Sequence, residues 1–163
     1  NHRFSLLVVF WEISSKMTGV CMSCRLEHAN ITVKDMEEGV RFLTTVFPDF
    51  QSRGGDTVEI EGGQKQWLHV GTDETYIALE SVTPTTDSDR RPYRDLGINH
   101  IGFVVDDLDG VIARLVEAGY ETGDLAEEID YRKRTYVFDD NGVEWEFVQY
   151  LTEDAEKANV YQM

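Results

Sequence analysis

The sequence predicts an α+β protein made of two tandem βαβββ modules. Three observations predict it: a repeat offset by 72 residues, strand-period alternation opening each copy, and an aspartate followed by an amphipathic helical pattern in each. The first copy reads His28-Ala-Asn-Ile-Thr-Val-Lys-Asp35. The second reads His100-Ile-Gly-Phe-Val-Val-Asp-Asp107, so that Asp follows His by seven residues in both.

The elements follow in order. In the first strand Ala29, Ile31 and Val33 share one face, opposed by His28, Asn30 and Thr32. Asp35 is a good N-cap, because a carboxylate accepts orphan backbone N–H groups, and Glu38 three residues on fits a capping box. Met36, Val40, Leu43 and Phe47 make the helix's apolar stripe, and Pro48 follows its end. Strand-like stretches come next at 57–60, 67–70 and 76–82, with turns at Gly54-Gly55 and Gly62-Gly63. Residues 83–96, with two prolines and several polar residues, form the connector. In the second copy Ile101, Phe103 and Val105 share a face opposed by His100 and Gly102, and Asp107 caps a helix with Leu108, Val111, Ile112, Leu115 and Val116 on one side. Gly119 stops that helix. A weak strand at 120–123 and stronger ones at 134–138 and 143–150 complete the copy, with Asp140-Asn141-Gly142 as a turn.

The predicted organisation is an N-terminal extension over 1–21, one domain over 22–151 and a tail over 152–163 that reads as a short capped helix. Within the domain, module one spans about 25–82 and module two about 97–151. Arg3 and the run Leu6-Leu7-Val8-Val9-Phe10-Trp11 faintly resemble a signal peptide, but Glu12 interrupts the run and no small-residue cleavage site follows. An extra strand or appendage is the better reading, and Met17 and Met22 are internal candidate starts. Cys21-Met-Ser-Cys24 has no second pair to complete four zinc ligands, and reads as two incidental thiols.

Composition narrows function. The 163 residues carry 15 Lys+Arg against 31 Asp+Glu, a net charge of −16, so phosphate backbones and anionic membrane surfaces repel the chain. The 41% hydrophobic and 11% aromatic content argues for a packed core rather than an acidic disordered chain. Two cysteines build no disulfide framework, and no stretch approaches the roughly 18 apolar residues of a membrane span. The expectation is a soluble, acidic, cytoplasmic protein with a small-molecule partner, no nucleic acid and no membrane.

The candidate chemistry lies on the polar strand faces. Trp145-Glu146-Phe147 puts a carboxylate between two bulky apolar residues, which is costly unless Glu146 faces solvent, a cavity or a cation. His28 and His100 open equivalent strands, so pseudo-symmetric modules would let them meet near the axis of a curled sheet. Two imidazoles and a carboxylate suit a divalent transition metal with open coordination positions. Taken singly, each histidine is more often a polar residue that found a hydrogen bond. Its recurrence in both copies raises the metal reading. Arg132 and Arg134, after Tyr131, can bind carboxylate or phosphate bidentately; their alternative is a protective charge on a strand edge. Trp67 and His69 share parity on one strand and are candidates to line a substrate cavity, with core packing the better reading for Trp67 and His69 left open. No phosphate-cradling loop of the Walker type and no serine nucleophile elbow is present.

These residues resemble the vicinal oxygen chelate superfamily, which includes glyoxalases, fosfomycin-resistance transferases, extradiol dioxygenases and bleomycin-resistance proteins. The resemblance rests on Asn99-His100-Ile-Gly-Phe-Val-Val-Asp-Asp107-Leu-Asp and on Phe138-Asp-Asp-Asn-Gly142-Val-Glu-Trp-Glu146-Phe-Val-Gln. The latter is similar to that family's turn-then-strand pattern Asp-Pro-Asp-Gly-Asn-x-Ile-Glu-Leu, with Asp140 and Asn141 as turn changes that touch no ligand. The likeness covers roughly residues 25–151.

The resemblance implies a curled, mostly antiparallel eight-stranded sheet around a central cavity, a divalent metal (Fe, Mn, Ni, Zn or Co) and a homodimer. It implies that His28, His100 and Glu146 are metal ligands. The fourth ligand position falls on Ala78 when Ile77-Ala78-Leu79 is aligned with Ile-Glu-Leu, and Glu80 lies two residues on, on the same strand face. Glu80 is thus either a fourth ligand or general base, or the site has two histidines and one glutamate, as in dioxygenases and fosfomycin enzymes. The implied activity is a lyase, isomerase, dioxygenase or transferase. In it the metal chelates vicinal substrate oxygens and stabilises an enolate-like or oxyanionic intermediate, while Glu80 or Glu146 moves a proton. The competing expectation is a non-catalytic module that sequesters a small molecule, as in the bleomycin-resistance branch. A structural or interaction domain is the third.

Overall fold

The computed structural model describes residues 24–123, 130–158 and 160; the N-terminal extension, Cys21 of the Cys-x-x-Cys and residues 161–163 of the tail lie outside the described residues. The elements run β1 (His28–Thr32), α1 (Met36–Val46), β2 (Gln51–Ile60), β3 (Gly63–Gly71), β4 (Tyr76–Thr83), β5 (His100–Val104), α2 (Leu108–Glu117), β6 (Arg132–Phe138), β7 (Glu144–Tyr150) and α3 (Ala155–Ala158). The chain is α+β and duplicated. β1 pairs parallel with β4, and β5 pairs parallel with β7, while the remaining ladders are antiparallel.

Four strands form one sheet, ordered β1-β4-β3-β2, and three form another, ordered β5-β7-β6. The single eight-stranded sheet expected from the repeat is therefore two sheets in this chain. The reason is visible in α1, which packs against both. Its Gly39 rests on Leu79 of β4, where an added Cβ would come within 3.0 Å of a leucine methyl carbon. One turn on, Phe42 stacks on Trp145 of β7 at 5.5 Å and meets the Tyr120 ring edge-on at 5.1 Å. Val70, Ile77 and Leu79 of the first sheet and Val137, Trp145 and Phe147 of the second thereby join one buried cluster. The edges of β1 and β5 carry no partner strand among the described residues.

Both predicted N-caps form, Asp35 accepting from the Glu38 N–H at 3.0 Å and Asp107 from the Gly110 N–H at 2.9 Å. The expected reciprocal half of the capping box does not. The buried Glu38 carboxylate turns inward, accepting from the Tyr120 hydroxyl at 2.8 Å and from Arg41 Nε at 2.8 Å. Arg41 reaches on to Asp140 at 3.1 Å, tying α1 to the β6–β7 turn. In that turn the Asn141 side chain accepts from the Lys34 and Asp35 N–H groups and donates to the Asp35 carbonyl. From the other side Arg114 of α2 donates to the Thr45 and Val46 carbonyls at the end of α1, which would otherwise lack donors.

Two local expectations change. Gly54-Gly55 is not a turn but lies within β2, where the register shifts between Ser52 and Gly54. Gly54 sits at φ 141°, and a Cβ on Gly55 would meet the Trp67 carbonyl at 2.4 Å, so only glycines fit this bulge. The strand expected at 120–123 shrinks to a bridge between Thr122 and Val137. Glu121-Thr122-Gly123 holds no apolar side chain to bury and one glycine, so little favours extending the ladder.

Because Phe42 joins both halves of the core, Phe42→Ala is expected to cost about 3–5 kcal/mol. Chemical denaturation followed by tryptophan fluorescence and by far-ultraviolet circular dichroism should show one coincident transition at lower denaturant. Two separated transitions would mean that the modules do not share a core.

Candidate functional site

Each sheet buries one face and leaves the other open, and strand register decides which residues share the open faces. On the first sheet His28 pairs with Tyr76, Asn30 with Ala78 and Thr32 with Glu80, while Trp67 lies across from Glu80 and His69 across from Ala78. Pairing of residues of like parity puts all of them on one side. Tyr76 is the hub. The His28 ring stacks on it at 4.7 Å, the His69 ring lies 4.6 Å away, and the Arg53 guanidinium sits 4.3 Å over its face. Trp67 follows on from His69 at 4.9 Å. Trp67 thus packs against open-face residues rather than in the core, and His28, Trp67 and His69 form one array.

Glu80, at the far end of that face, accepts from Asn30 Nδ2 at 3.2 Å and lies 3.0 Å from Lys65 Nζ. The hydrogen bonds from Lys65 and Asn30 hold its carboxyl below the usual range. A carboxylate so held is a weak base. The ladder also resolves the alignment question raised by Ala78. His28 pairs with Tyr76 as His100 pairs with Glu144, so Ala78 occupies the rung that Glu146 holds in the other module, and Glu80 lies two residues beyond it.

The second sheet gathers the other candidates. His100, Gly102, Glu144, Glu146, Arg132, Arg134 and Tyr136 share its open face by register. His100 Nε2 lies 3.1 Å from Glu146 Oε2. Glu146 Oε1 accepts from the Tyr136 hydroxyl at 2.8 Å, with Arg134 Nη1 3.8 Å away. Burial and that hydrogen bond raise the Tyr136 pKa, so it remains a donor. Gly102 leaves room above the strand, its nearest neighbour being Glu146 Oε2 at 3.6 Å from a built Cβ.

Behind His100 stands Tyr93, from the connector. Its hydroxyl donates to Glu144 Oε2 at 2.7 Å and lies 3.1 Å from His100 Nδ1. The hydrogen bond to Glu144 and the accompanying burial push the Tyr93 phenol up to about 12. The connector also walls a cleft of about 780 Å³ whose lining includes Ile31, Lys34, Arg90, His100, Phe138 and Glu144.

The candidate residues thus fall into two groups, one per sheet. His100 and Glu146 are brought together and His28 is not brought to them. Among the described residues no three His, Cys, Asp or Glu side chains converge as metal ligands. Sequence reasoning missed Tyr93, Tyr136, Tyr76 and Lys65. Parity along 132–138 and 65–80 carried a signal for the last three, while Tyr93 sits in a connector with no periodicity to place it.

Comparison with known proteins agrees with this architecture. The sequence pattern of the Glyoxalase/Bleomycin resistance protein/Dioxygenase superfamily matches residues 25–147, and the chain belongs to that superfamily. No curated protein matches it in sequence. Among solved structures, a glyoxalase family protein from Bacillus cereus is similar with TM-score 0.66 and 21% identity, over 82% of this chain and 99% of that one. The fosfomycin resistance protein FosX from Mesorhizobium loti gives 0.58 and 21%, over 85% and 100%. FosX from Listeria monocytogenes, solved with Mn(II) and sulfate, gives 0.56 and 18%, over 81% and 97%. At these identities the likeness is one of fold. Among the described residues no helix is long and apolar enough to cross a membrane.

The Lys65–Glu80 pair yields a test with a defined sign. A lowered folded-state pKa stabilises the protein above the unfolded value and is lost as pH falls through the folded one. Lys65→Met should therefore raise the Glu80 carboxyl toward its ordinary value of about 4.3, read by carbon-13 NMR titration. The stability lost in the variant should be present near neutral pH and should fade in acid. An unchanged Glu80 titration would remove Lys65 as its partner.

Proposed function

We propose that the chain is a metal-dependent enzyme acting on a small, oxygen-rich molecule, with its site completed by a second copy of the chain. The observation that carries this reading is the His100 Nε2–Glu146 Oε2 pair on an open sheet face, 3.1 Å apart, together with the counterpart His28 at the same place in the other module. The donor set fits a divalent transition metal. An imidazole nitrogen and a carboxylate oxygen at that separation suit two adjacent positions of one ion, and His28 supplies the third donor.

A second copy is the natural source of that third donor. Among the described residues β1 and β5 are edge strands, each paired on one side alone, and open edges invite another strand. Leu26 beside β1, and Leu96, Ile98 and Val104 beside or within β5, are exposed apolar side chains flanking those edges. A two-fold axis that sets β1 of one copy beside β5 of its partner completes a curled sheet from both. His28 of one copy then faces His100 and Glu146 of the other, twice per dimer.

When bound, such a metal supplies a Lewis acid that chelates neighbouring substrate oxygens and stabilises developing oxyanion charge. The chain's own residues do the rest. Tyr136, kept protonated, holds Glu146 and offers a hydroxyl beside the reacting oxygens. Arg132 and Arg134 supply positive charge on the same face for an anionic substrate. Glu146 is the carboxylate placed to accept a proton there, while Glu80 holds Lys65 at the rim. The Trp67, His69 and Tyr76 array forms the facing wall. The FosX structure from Listeria monocytogenes, which holds Mn(II) and sulfate, supports metal use on this fold.

The test is complementation. Wild-type protein should bind about one transition metal per chain on elemental analysis, and His28→Ala or His100→Ala should bind essentially none. Unfolding and refolding the two variants together should restore roughly a quarter of wild-type metal, because half the dimers are mixed and each holds one intact site. No restoration, with metal bound by wild-type, would place the site within one chain. No metal in wild-type after reconstitution with several divalent ions would favour small-molecule sequestration instead.

A further inference from the structure

The connector between the modules does more than join them. Tyr93, an aromatic residue, sits in the left-handed backbone region at φ 62°, where a bulky side chain is rarely found. The surrounding loop enforces that conformation. Asn99 Oδ1 accepts from the Tyr93 N–H at 2.8 Å and from Arg90 Nη2 at 2.8 Å, and Arg90 Nε donates to the Leu96 carbonyl at 3.2 Å. Strain held in place by a dedicated clamp points to a use for the strained side chain.

That use follows from proton counting. A tyrosine hydroxyl has one hydrogen and can accept through its oxygen. Glu144 as a carboxylate only accepts, so the Tyr93 hydrogen goes to Glu144 at 2.7 Å. The contact between the Tyr93 oxygen and His100 Nδ1 at 3.1 Å then requires the hydrogen to be on Nδ1. With Nδ1 protonated, Nε2 is the nitrogen that faces Glu146 Oε2 at 3.1 Å, donating a proton to it while the ring is charged and holding a lone pair there once that proton is lost. The Nε2–Glu146 pair thus holds either a proton or, in its place, a metal cation. The Tyr136 ring meets the imidazole edge-on at 5.5 Å and fixes its plane from another direction.

We propose that Tyr93 is a positioning residue that, with Glu144, holds His100 in the Nδ1–H tautomer and so presents Nε2 as a ready donor beside Glu146. The proposal rests on the metal-site reading for its purpose, but its physical content, a tautomer set from the connector, stands on the metal-free protein. Outer hydrogen-bond partners of ligating histidines act this way in general, fixing tautomer and orientation.

The test uses Tyr93→Phe and Asn99→Ala, the second loosening the clamp without touching the imidazole directly. Folding is verified by amide NMR spectra. In alkaline buffer, where a free imidazole is neutral, nitrogen-15 NMR of the His100 ring in metal-free wild-type should show the proton on Nδ1. In Tyr93→Phe it should shift to the Nε2–H form or to a mixture, with a smaller shift in Asn99→Ala. Titration with Mn(II) or Co(II) alone should show affinity about 10–100-fold weaker in Tyr93→Phe. An Nε2–H ring in wild-type, or an unchanged tautomer in Tyr93→Phe, overturns the proposal whether or not metal binds. A changed tautomer with no metal bound by wild-type upholds the relay and overturns the metal-site reading alone.

Discussion

Everything in this fold depends on α1 being buried from two sides. A helix with one apolar stripe suits one sheet. Here Gly39 lets the helix sit close on β4, while Phe42, one turn away, enters the aromatic cluster of β7. Such a helix cannot leave a polar group unpaired, and the buried Glu38 is accordingly closed off by Tyr120 and Arg41. The docking is directional because its polar contacts are. Asn141 reads the backbone at the start of α1 and Arg114 reads its end, so the two modules have one relative placement rather than a family of them.

That placement has a cost for chemistry and a benefit for assembly. With the modules joined through their helices, the open sheet faces keep His28 apart from His100 and Glu146, and among the described residues β1 and β5 keep open edges. On the reading proposed above, the same geometry that divides the site leaves the edges through which a second copy unites it. The duplication is asymmetric as well. The rung carrying Glu146 in one module carries Ala78 in the other, and the rung carrying Glu144 carries Tyr76.

Much of this was legible from residues alone. The His-to-Asp spacing and the N-caps Asp35 and Asp107 are legible, and strand parity sets His28, His100, Glu80 and Glu146 on the open faces, because period-two alternation is a local property; Trp67, which reads better as core, lies on the open face instead. The connection between faces was not legible, since whether His28 meets His100 depends on how α1 divides its packing between two sheets. The Gly54-Gly55 pair misled for a related reason. Glycine signals backbone freedom, and a bulge inside a strand uses it as readily as a turn does. Glu38 fitted a capping box by spacing, yet the long-range partner Tyr120, 82 residues away, took its carboxylate.

Connectors between modules ordinarily tolerate insertions and deletions, because their side chains touch little. The segment between β4 and β5 is different, since it carries Tyr93 to His100 and Glu144 and is knotted to itself through Arg90 and Asn99. Its length is therefore under constraint. One residue added or removed between Arg90 and Asn99 would turn the tyrosine away from the imidazole while leaving both modules folded. Relatives that keep this contact are expected to keep the spacing from Arg90 to His100, and those that have lost the tyrosine are free to vary it.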